Sequence, residues 1–287
     1  MFVVRDHTAE LDGQPVFWRD SRPDPPATPT SPPAATPTLF VHGSPTSSDD
    51  WLPFLSRIPG IAPDLPGFGR SGKRGDGDFT MAGYDRFLER WLDSIEVDRV
   101  NLVVHDWGGA ALLWAQRFPE RVERLVVINA VPVGQRYRWH WIARMWRRPV
   151  LGELFMGSSY RWTVRQLLKP ATALEGDASK AMRTELADQI VTHLDQGTQR
   201  AILRLYRDAS PDALLAAGAH LDEITAPALV VWGQRDPYIG PEHGARFAEL
   251  LPNATLRPIE RAGHWVWLDE PDVVEQVVDF LGGDASA

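Results

Sequence analysis

A regular alternation constrains this chain most. Short apolar and β-branched runs at Leu39–His42, Ile61–Asp64, Asn101–His105, Arg124–Asn129 and Ala228–Trp232 are separated by longer segments, several of them amphipathic with helical period. The clearest helical segments are Met81–Ile95, Gly108–Phe118, Glu242–Leu251 and Asp272–Leu281. Buried runs alternating with helices predict an α/β chain with a mostly parallel central sheet covered by helices on both faces. Residues 2–19 alternate apolar and polar side chains around Asp12-Gly13, which predicts an antiparallel hairpin leading into that sheet. The run from Arg22 to Thr38 is dominated by proline, which neither donates to a ladder nor continues a helix, so a surface loop is expected there. From Val131 to about Asp222 the strand pattern stops and helical segments rich in Arg, Trp and Leu take over, until Ala226-Pro227 marks the return to the sheet. The expected organisation is a core of residues 1–130 and 223–287 with an inserted helical cap over 131–222.

The strongest local signal is Asn101–Leu112, NLVVHDWGGAAL, where a buried strand ends at His105 and a helix begins at Gly108. Asp106 lies on the turn between them. A sharp strand-turn-helix needs small residues where backbones crowd, supplied here by Gly108 and Gly109, and it lifts the central side chain above the carboxyl end of the sheet. The helix N-terminus favours negative charge at that point. An aspartate alone on such a turn is as well explained as a helix N-cap, but other motifs accompany it in order. Phe40–Pro45 runs from a strand into a glycine turn, suited to an oxyanion-hole loop whose donors are the backbone N–H groups of Ser44 and Trp107. Val230–Pro237 places Asp236 just beyond a late strand, and Ala262–Trp265 places His264 before the last helix. The chain order is nucleophile, acid, histidine.

These segments together, HGSP at 42–45, DLPGFGRS at 64–71, HDWGG at 105–109, GQRDP at 233–237 and AGHW at 262–265, resemble the epoxide hydrolase and haloalkane dehalogenase branch of the α/β-hydrolase superfamily over nearly the whole chain. The resemblance implies the α/β-hydrolase fold. It also implies that Asp106 attacks an electrophilic carbon to form an ester, which water activated by His264, oriented by Asp236, then hydrolyses. A carboxylate needs no prior deprotonation to attack a strained ring or an alkyl halide, so the histidine is free to act on water in the second step.

The leaving group separates the activities. An epoxide oxygen calls for a proton donor, and epoxide hydrolases commonly supply two cap tyrosines. Tyr206 resembles the later of these and lies on a helix expected from Thr198; Tyr160 is the preferred second, with Tyr137 close behind. Opening of epoxides to vicinal diols is therefore the favoured expectation. The alternative, haloalkane dehalogenation, draws on the Trp107 indole N–H and a second donor. Some relatives take that donor from an asparagine where this chain has Ser44, leaving a cap tryptophan such as Trp141 or Trp162. Neither Trp107 nor Asn129, at the end of its strand, decides between the two. His42 and Pro45 are grouped with Ser44, Trp107 and Trp141 as substrate-binding candidates. Trp139-His140-Trp141 resembles a segment of haloacetate dehalogenases. The arginines with which that family clamps a carboxylate are replaced by Trp107 and by the apolar run from Ala110 to Leu113, which argues against a haloacetate substrate. Ser44, Ser48 and Ser71 are not on an elbow, which disfavours a serine esterase. A non-catalytic binding relative has no need of all three of Asp106, Asp236 and His264.

The 287 residues suffice for one large domain or a core with a sizeable insertion. A formal charge of −8 argues against a nucleic-acid partner. No apolar stretch is long enough to span a bilayer and no leader pattern opens the chain, so the cytoplasm and no membrane partner are expected. Zero cysteines exclude disulfides and thiolate chemistry. No cofactor or metal is expected. The expected partners are a small apolar substrate, epoxide or alkyl halide, and water, acting on a monomer or homodimer.

Overall fold

The structure is a computed structural model, and it describes residues 1–23 and 36–283. The first strands, β1 (Arg5–Leu11) and β2 (Gln14–Asp20), pair antiparallel around Asp12-Gly13. Both turn residues have positive φ, +53° and +71°, as a two-residue hairpin turn matched to strand twist requires. Most of the proline-rich run, residues 24–35, lies outside the described residues.

The chain then lays down β3 (Thr38–Val41), the single turn α1 (Leu52–Leu55) and β4 (Gly60–Pro63). Next come α2 (Met81–Ser94), β5 (Val100–Asp106), α3 (Ala111–Arg117) and β6 (Val122–Ala130). Six helices follow without an intervening strand: α4 (Trp141–Trp146), α5 (Leu151–Gly157), α6 (Arg161–Leu167), α7 (Gly176–His193), α8 (Gln196–Asp208) and α9 (Pro211–Ala217). The chain closes with β7 (Ala228–Gly233), α10 (Pro241–Leu250), β8 (Ala254–Ile259), α11 (Val266–Asp269) and α12 (Asp272–Gly282). The eight strands form one sheet in the order β1-β2-β4-β3-β5-β6-β7-β8, with β2 antiparallel to both neighbours and the rest parallel. This is the α/β-hydrolase arrangement.

The central strands are buried on both faces, and their alternation feeds two apolar layers. Leu102 and Val104 of β5, Leu125 and Val127 of β6, and Val230 and Trp232 of β7 point to one side. Val103, Val126, Ile128 and Val231 point to the other. Strand β8 was not anticipated. Its sequence, ATLRPI, is broken by Thr255, Arg257 and Pro258 and its side chains are intermediate or exposed, as suits the last strand of a sheet, which lacks the apolar run that marks a central one. The helix expected from Gly108 starts instead as a short 3-10 turn, Trp107–Ala110, before α3. Among the described residues, no helix is long and apolar enough to cross a membrane.

Candidate active site

Strand β5 ends in an abrupt reversal. Asp106 takes φ +48° and ψ −122°, a conformation that strains any L-residue with a side chain, and its carbonyl accepts the Val131 N–H at 2.9 Å. The reversal depends on glycine at close approach: a Cβ on Gly108 would sit 2.0 Å from the Val41 carbonyl oxygen, and one on Gly43 would sit 2.4 Å from Asp106 Cβ. Loop and elbow are thus pressed together, so that the Ser44 N–H donates to Asp106 Oδ1 at 2.8 Å. The Trp107 N–H, next along the chain, also favours the charged carboxylate. One of the two amides expected to form an oxyanion hole, that of Ser44, thus already holds Oδ1, and the other oxygen, Oδ2, faces His264.

His264 Nε2 lies 3.6 Å from Asp106 Oδ2, and its Nδ1 lies 2.7 Å from Asp236 Oδ2. All three side chains are buried. Asp236 is fixed from several sides: Oδ1 accepts the N–H groups of Tyr238 (2.7 Å) and Ile239 (3.1 Å), and Asn129 Nδ2 donates to Oδ2 at 2.5 Å. Asn129, at φ +38°, also accepts the Gly233 N–H through Oδ1 at 2.9 Å, tying β6 to the end of β7 just ahead of the acid. No role for Asn129 was read from the sequence. Its one signal there is a polar residue at the carboxyl end of an otherwise apolar buried strand.

Burial works against charge on His264, but the charge and hydrogen bond of Asp236, together with the charge of Asp106, outweigh it and raise its pKa. Burial pushes the Asp106 carboxyl up, while His264 and the Ser44 and Trp107 amides oppose that rise. The His105 ring lies tilted against that of His264, with centroids 4.6 Å apart, and its Nε2 bonds the His264 carbonyl at 3.0 Å. Burial, reinforced by the charge of His264, keeps the His105 ring well below its usual pKa and neutral.

Asp106 and His264 open into a cavity of about 80 Å³. Ser44, Pro45 and Trp107 line its floor, and Tyr137, Trp139, His140, Trp146 and Tyr206 face them from the insertion. The Tyr206 ring meets Trp107 edge-on at 5.0 Å and Trp146 at 4.8 Å. Burial, aided by the charge of Asp106, holds its phenol well above the usual pKa, so it stays a proton donor. Tyr137 and Tyr238 also reach the cavity, but their hydroxyls donate elsewhere, Tyr137 to the Tyr238 carbonyl at 2.6 Å and Tyr238 to the Leu167 carbonyl at 3.1 Å. Burial pushes His140 down to about 4. Its Nδ1 accepts the Ala143 N–H at 3.4 Å, so the neutral ring carries its proton on Nε2.

Four candidates fall outside the site. Tyr160 stands at the turn between α5 and α6 with its side chain 71% exposed, because α6 buries Val164 rather than its first turn. Trp141 is 51% exposed and Trp162 64%; α4 turns Ile142 and Ala143 inward, which sends Trp141 to solvent. His42 is buried but does not line the cavity. Its Nδ1 bonds the Gly43 carbonyl at 2.7 Å and its Nε2 accepts the Leu65 N–H at 2.9 Å, so both nitrogens are committed to shaping the loop. The tryptophans that do line the cavity from the insertion are Trp139 and Trp146.

A sheet of this order, with an acid on the elbow and a histidine–carboxylate pair at later strand ends, defines an α/β hydrolase. The alpha/beta hydrolase fold family model matches residues 36–271, and the chain belongs to that family. Among its relatives, a haloalkane dehalogenase of Mesorhizobium japonicum is 29% identical over 266 residues, covering 85% of this chain and 84% of its own. A 2-hydroxy-6-oxononadienedioate/2-hydroxy-6-oxononatrienedioate hydrolase of Paraburkholderia phymatum is 28% identical over 267 residues, covering 85% and 86%. The crystal structure of a haloalkane dehalogenase from Bradyrhizobium elkani superposes with a TM-score of 0.77 at 24% identity, covering 98% of each chain. The protein is thus a hydrolase of this family with dehalogenase-like kin.

Proposed function

We propose that the protein hydrolyses epoxides to vicinal diols through an ester on Asp106. The observation that carries this reading is the divided carboxylate, with Oδ1 held by the Ser44 N–H at 2.8 Å and Oδ2 facing His264 Nε2 at 3.6 Å. Oδ2 attacks a ring carbon, the C–O bond breaks, and the ring oxygen takes the Tyr206 phenolic proton. Water then attacks the ester carbonyl carbon while His264 Nε2 takes its proton, and the oxyanion forms on Oδ1 between the Ser44 and Trp107 amides. As the C–O ester bond breaks, His264 returns that proton to the departing alkoxide, and the proton left on the carboxyl group restores the phenol. Of the insertion tyrosines that line the cavity, Tyr206 is the one whose hydroxyl is not engaged by a backbone carbonyl, and His140 Nε2–H offers a second donor in place of the exposed Tyr160.

One observation favours a halide leaving group: the indole N–H groups of Trp107, Trp139 and Trp146 are buried around the same cavity without a hydrogen-bond acceptor. Single turnover in heavy-oxygen water tests the ester, since the first product is unlabelled when Asp106 supplies the oxygen; labelled first product refutes the covalent route. Turnover of styrene oxide against 1,2-dibromoethane, in native enzyme and in Tyr206→Phe, then tests the leaving group. Epoxide turnover that dominates and falls in the variant supports the reading. Dominant halide release unchanged by the variant reverses it.

A further inference from the structure

The outer surface of the insertion differs from the rest of the molecule in both charge and polarity. Residues 131–170 hold eight arginines and lysines against one carboxylate, Glu153, in a chain whose formal charge is −8. Glu153 is itself paired with Arg207. The same stretch exposes Trp141, Val150, Leu151, Leu154, Tyr160 and Trp162, by 45 to 71%. Beyond the N-terminal Met1–Val3, the other large apolar side chains exposed to a similar degree among the described residues are Leu52, Leu215 and Leu256, scattered singly.

Cations and exposed apolar groups are interleaved along these helices. On α4, Trp141 and Arg144 stand three apart, which places them on one stripe, and Arg148 follows in the turn just past the helix end. The Trp141 ring rests on Phe155 at 6.0 Å, joining that stripe to α5 beside Leu151 and Leu154. Exposed Arg144, Arg148 and Lys169 have no carboxylate partner among the described residues. Facing inward, the same helices line the cavity through Ile142, Trp146, Met156 and Val164.

We infer that the outer face of α4–α6 docks on the surface of a bilayer containing anionic lipid. Headgroup phosphates accept the guanidinium and ammonium groups, and the interfacial zone takes up tryptophan, tyrosine and aliphatic side chains together. Nucleic acid would match the charge and leave Val150, Leu151 and Leu154 without a partner. A second copy of this chain in twofold contact would set one cationic face against another. No described helix is able to cross the membrane, so the attachment is peripheral. It would bring the cavity within one helix layer of lipid in which apolar substrates concentrate.

The test is flotation of the full-length protein with phosphatidylcholine vesicles, with and without phosphatidylglycerol. Arg144→Glu/Arg148→Glu and Trp141→Ser/Trp162→Ser serve as variants, and thermal melts verify folding. The expected result is binding to the anionic vesicles alone, reversal by high salt, and a loss of about tenfold or more in each variant at an unchanged melting temperature. Equal binding to both lipids, no binding, or indifference to both variants overturns the inference. A concentration-dependent dimer that Trp141→Ser/Trp162→Ser dissolves also overturns it and assigns the face to a second copy.

Discussion

The strand ends that carry Asp106, Asp236 and His264 and the insertion helices that face them enclose one cavity, but they hold their side chains by different means. On the sheet side every reactive group is over-determined. Asp106 is gripped by the Ser44 amide and a strained elbow, Asp236 by two amides and Asn129, and His264 by both carboxylates. On the insertion side, position comes from aromatic packing: Tyr206 lies among Trp107, Trp139 and Trp146 with centroids 4.8 to 5.2 Å apart. Arg147 reinforces it by donating to the Tyr206 carbonyl and, at 2.7 Å, to that of Ala209. Hydrogen-bonded geometry of the first kind is what a shared chemical step requires, whereas a packed aromatic wall is free to vary with the substrate. Substitutions on the two sides are therefore expected to differ in kind as well as in size.

The largest effect is expected from Asp106→Asn. The amide oxygen still accepts the Ser44 N–H, so folding survives, while turnover falls on the order of 10⁶-fold, the scale seen when a covalent nucleophile is removed. Mass spectrometry of the quenched variant should find no ester, and a variant retaining appreciable steady-state rate would sever the chemistry from the elbow. Asp236→Asn comes next, with kcat lower by roughly 10³ to 10⁴. The pH profile adds a signed test. His264 is useful as a base only when neutral, and the charge of Asp236 helps raise its pKa against burial. Native activity therefore climbs as pH rises through that raised pKa. Without the Asp236 charge the His264 pKa falls, and the acid limb shifts to lower pH in the residual activity. A limb that stays in place or moves to higher pH would show that another group controls it.

The same division governed what was legible beforehand. Glycine turns, strand ends and a fixed order of nucleophile, acid and histidine are local features, so Asp106, Asp236, His264 and the Ser44 and Trp107 amides could be named from short motifs, and the structure brings them together. The insertion has no such punctuation. Which of Trp139, Trp141 and Trp146 faces inward depends on where α4 begins and how it rotates against α8, and closely spaced tryptophans give no periodic signal of either. His42 misled for a related reason: a motif marks the loop it belongs to without revealing which members touch substrate. Asn129 and β8 escaped because each acts through a neighbour, Asn129 through Asp236 and β8 through its pairing with β7.

Tyr206→Phe tests the insertion side directly. Loss of one proton donor lowers kcat for an epoxide by roughly 10²-fold, with the melting temperature nearly unchanged because the ring packing remains. An equal loss with an alkyl halide would mean that the hydroxyl shapes the cavity rather than serving the leaving oxygen. A smaller effect, about tenfold in kcat, is expected for Asn129→Ala, since the two backbone amides continue to hold Asp236 after the side-chain bond is gone. The KM should hold steady if Asn129 acts only by positioning the acid; a rise in KM with kcat intact would place it in substrate binding instead.

Tyr160→Phe completes the comparison from its weakest end. With 71% of the side chain exposed and no hydroxyl interaction assigned, the change should alter stability by less than about 0.5 kcal/mol and leave epoxide kinetics at the native level. Its value lies in being paired with Tyr206→Phe, because the two remove the same atom from the two tyrosines that sequence alone favoured. A drop in kcat matching that of Tyr206→Phe would require Tyr160 to reach the ring oxygen during turnover. From its position at the α5–α6 turn, that would mean the helices around it repack over the cavity. The insertion would then be a moving part of the catalytic machinery, and the contrast between a hydrogen-bonded floor and a packed roof would describe only the resting enzyme.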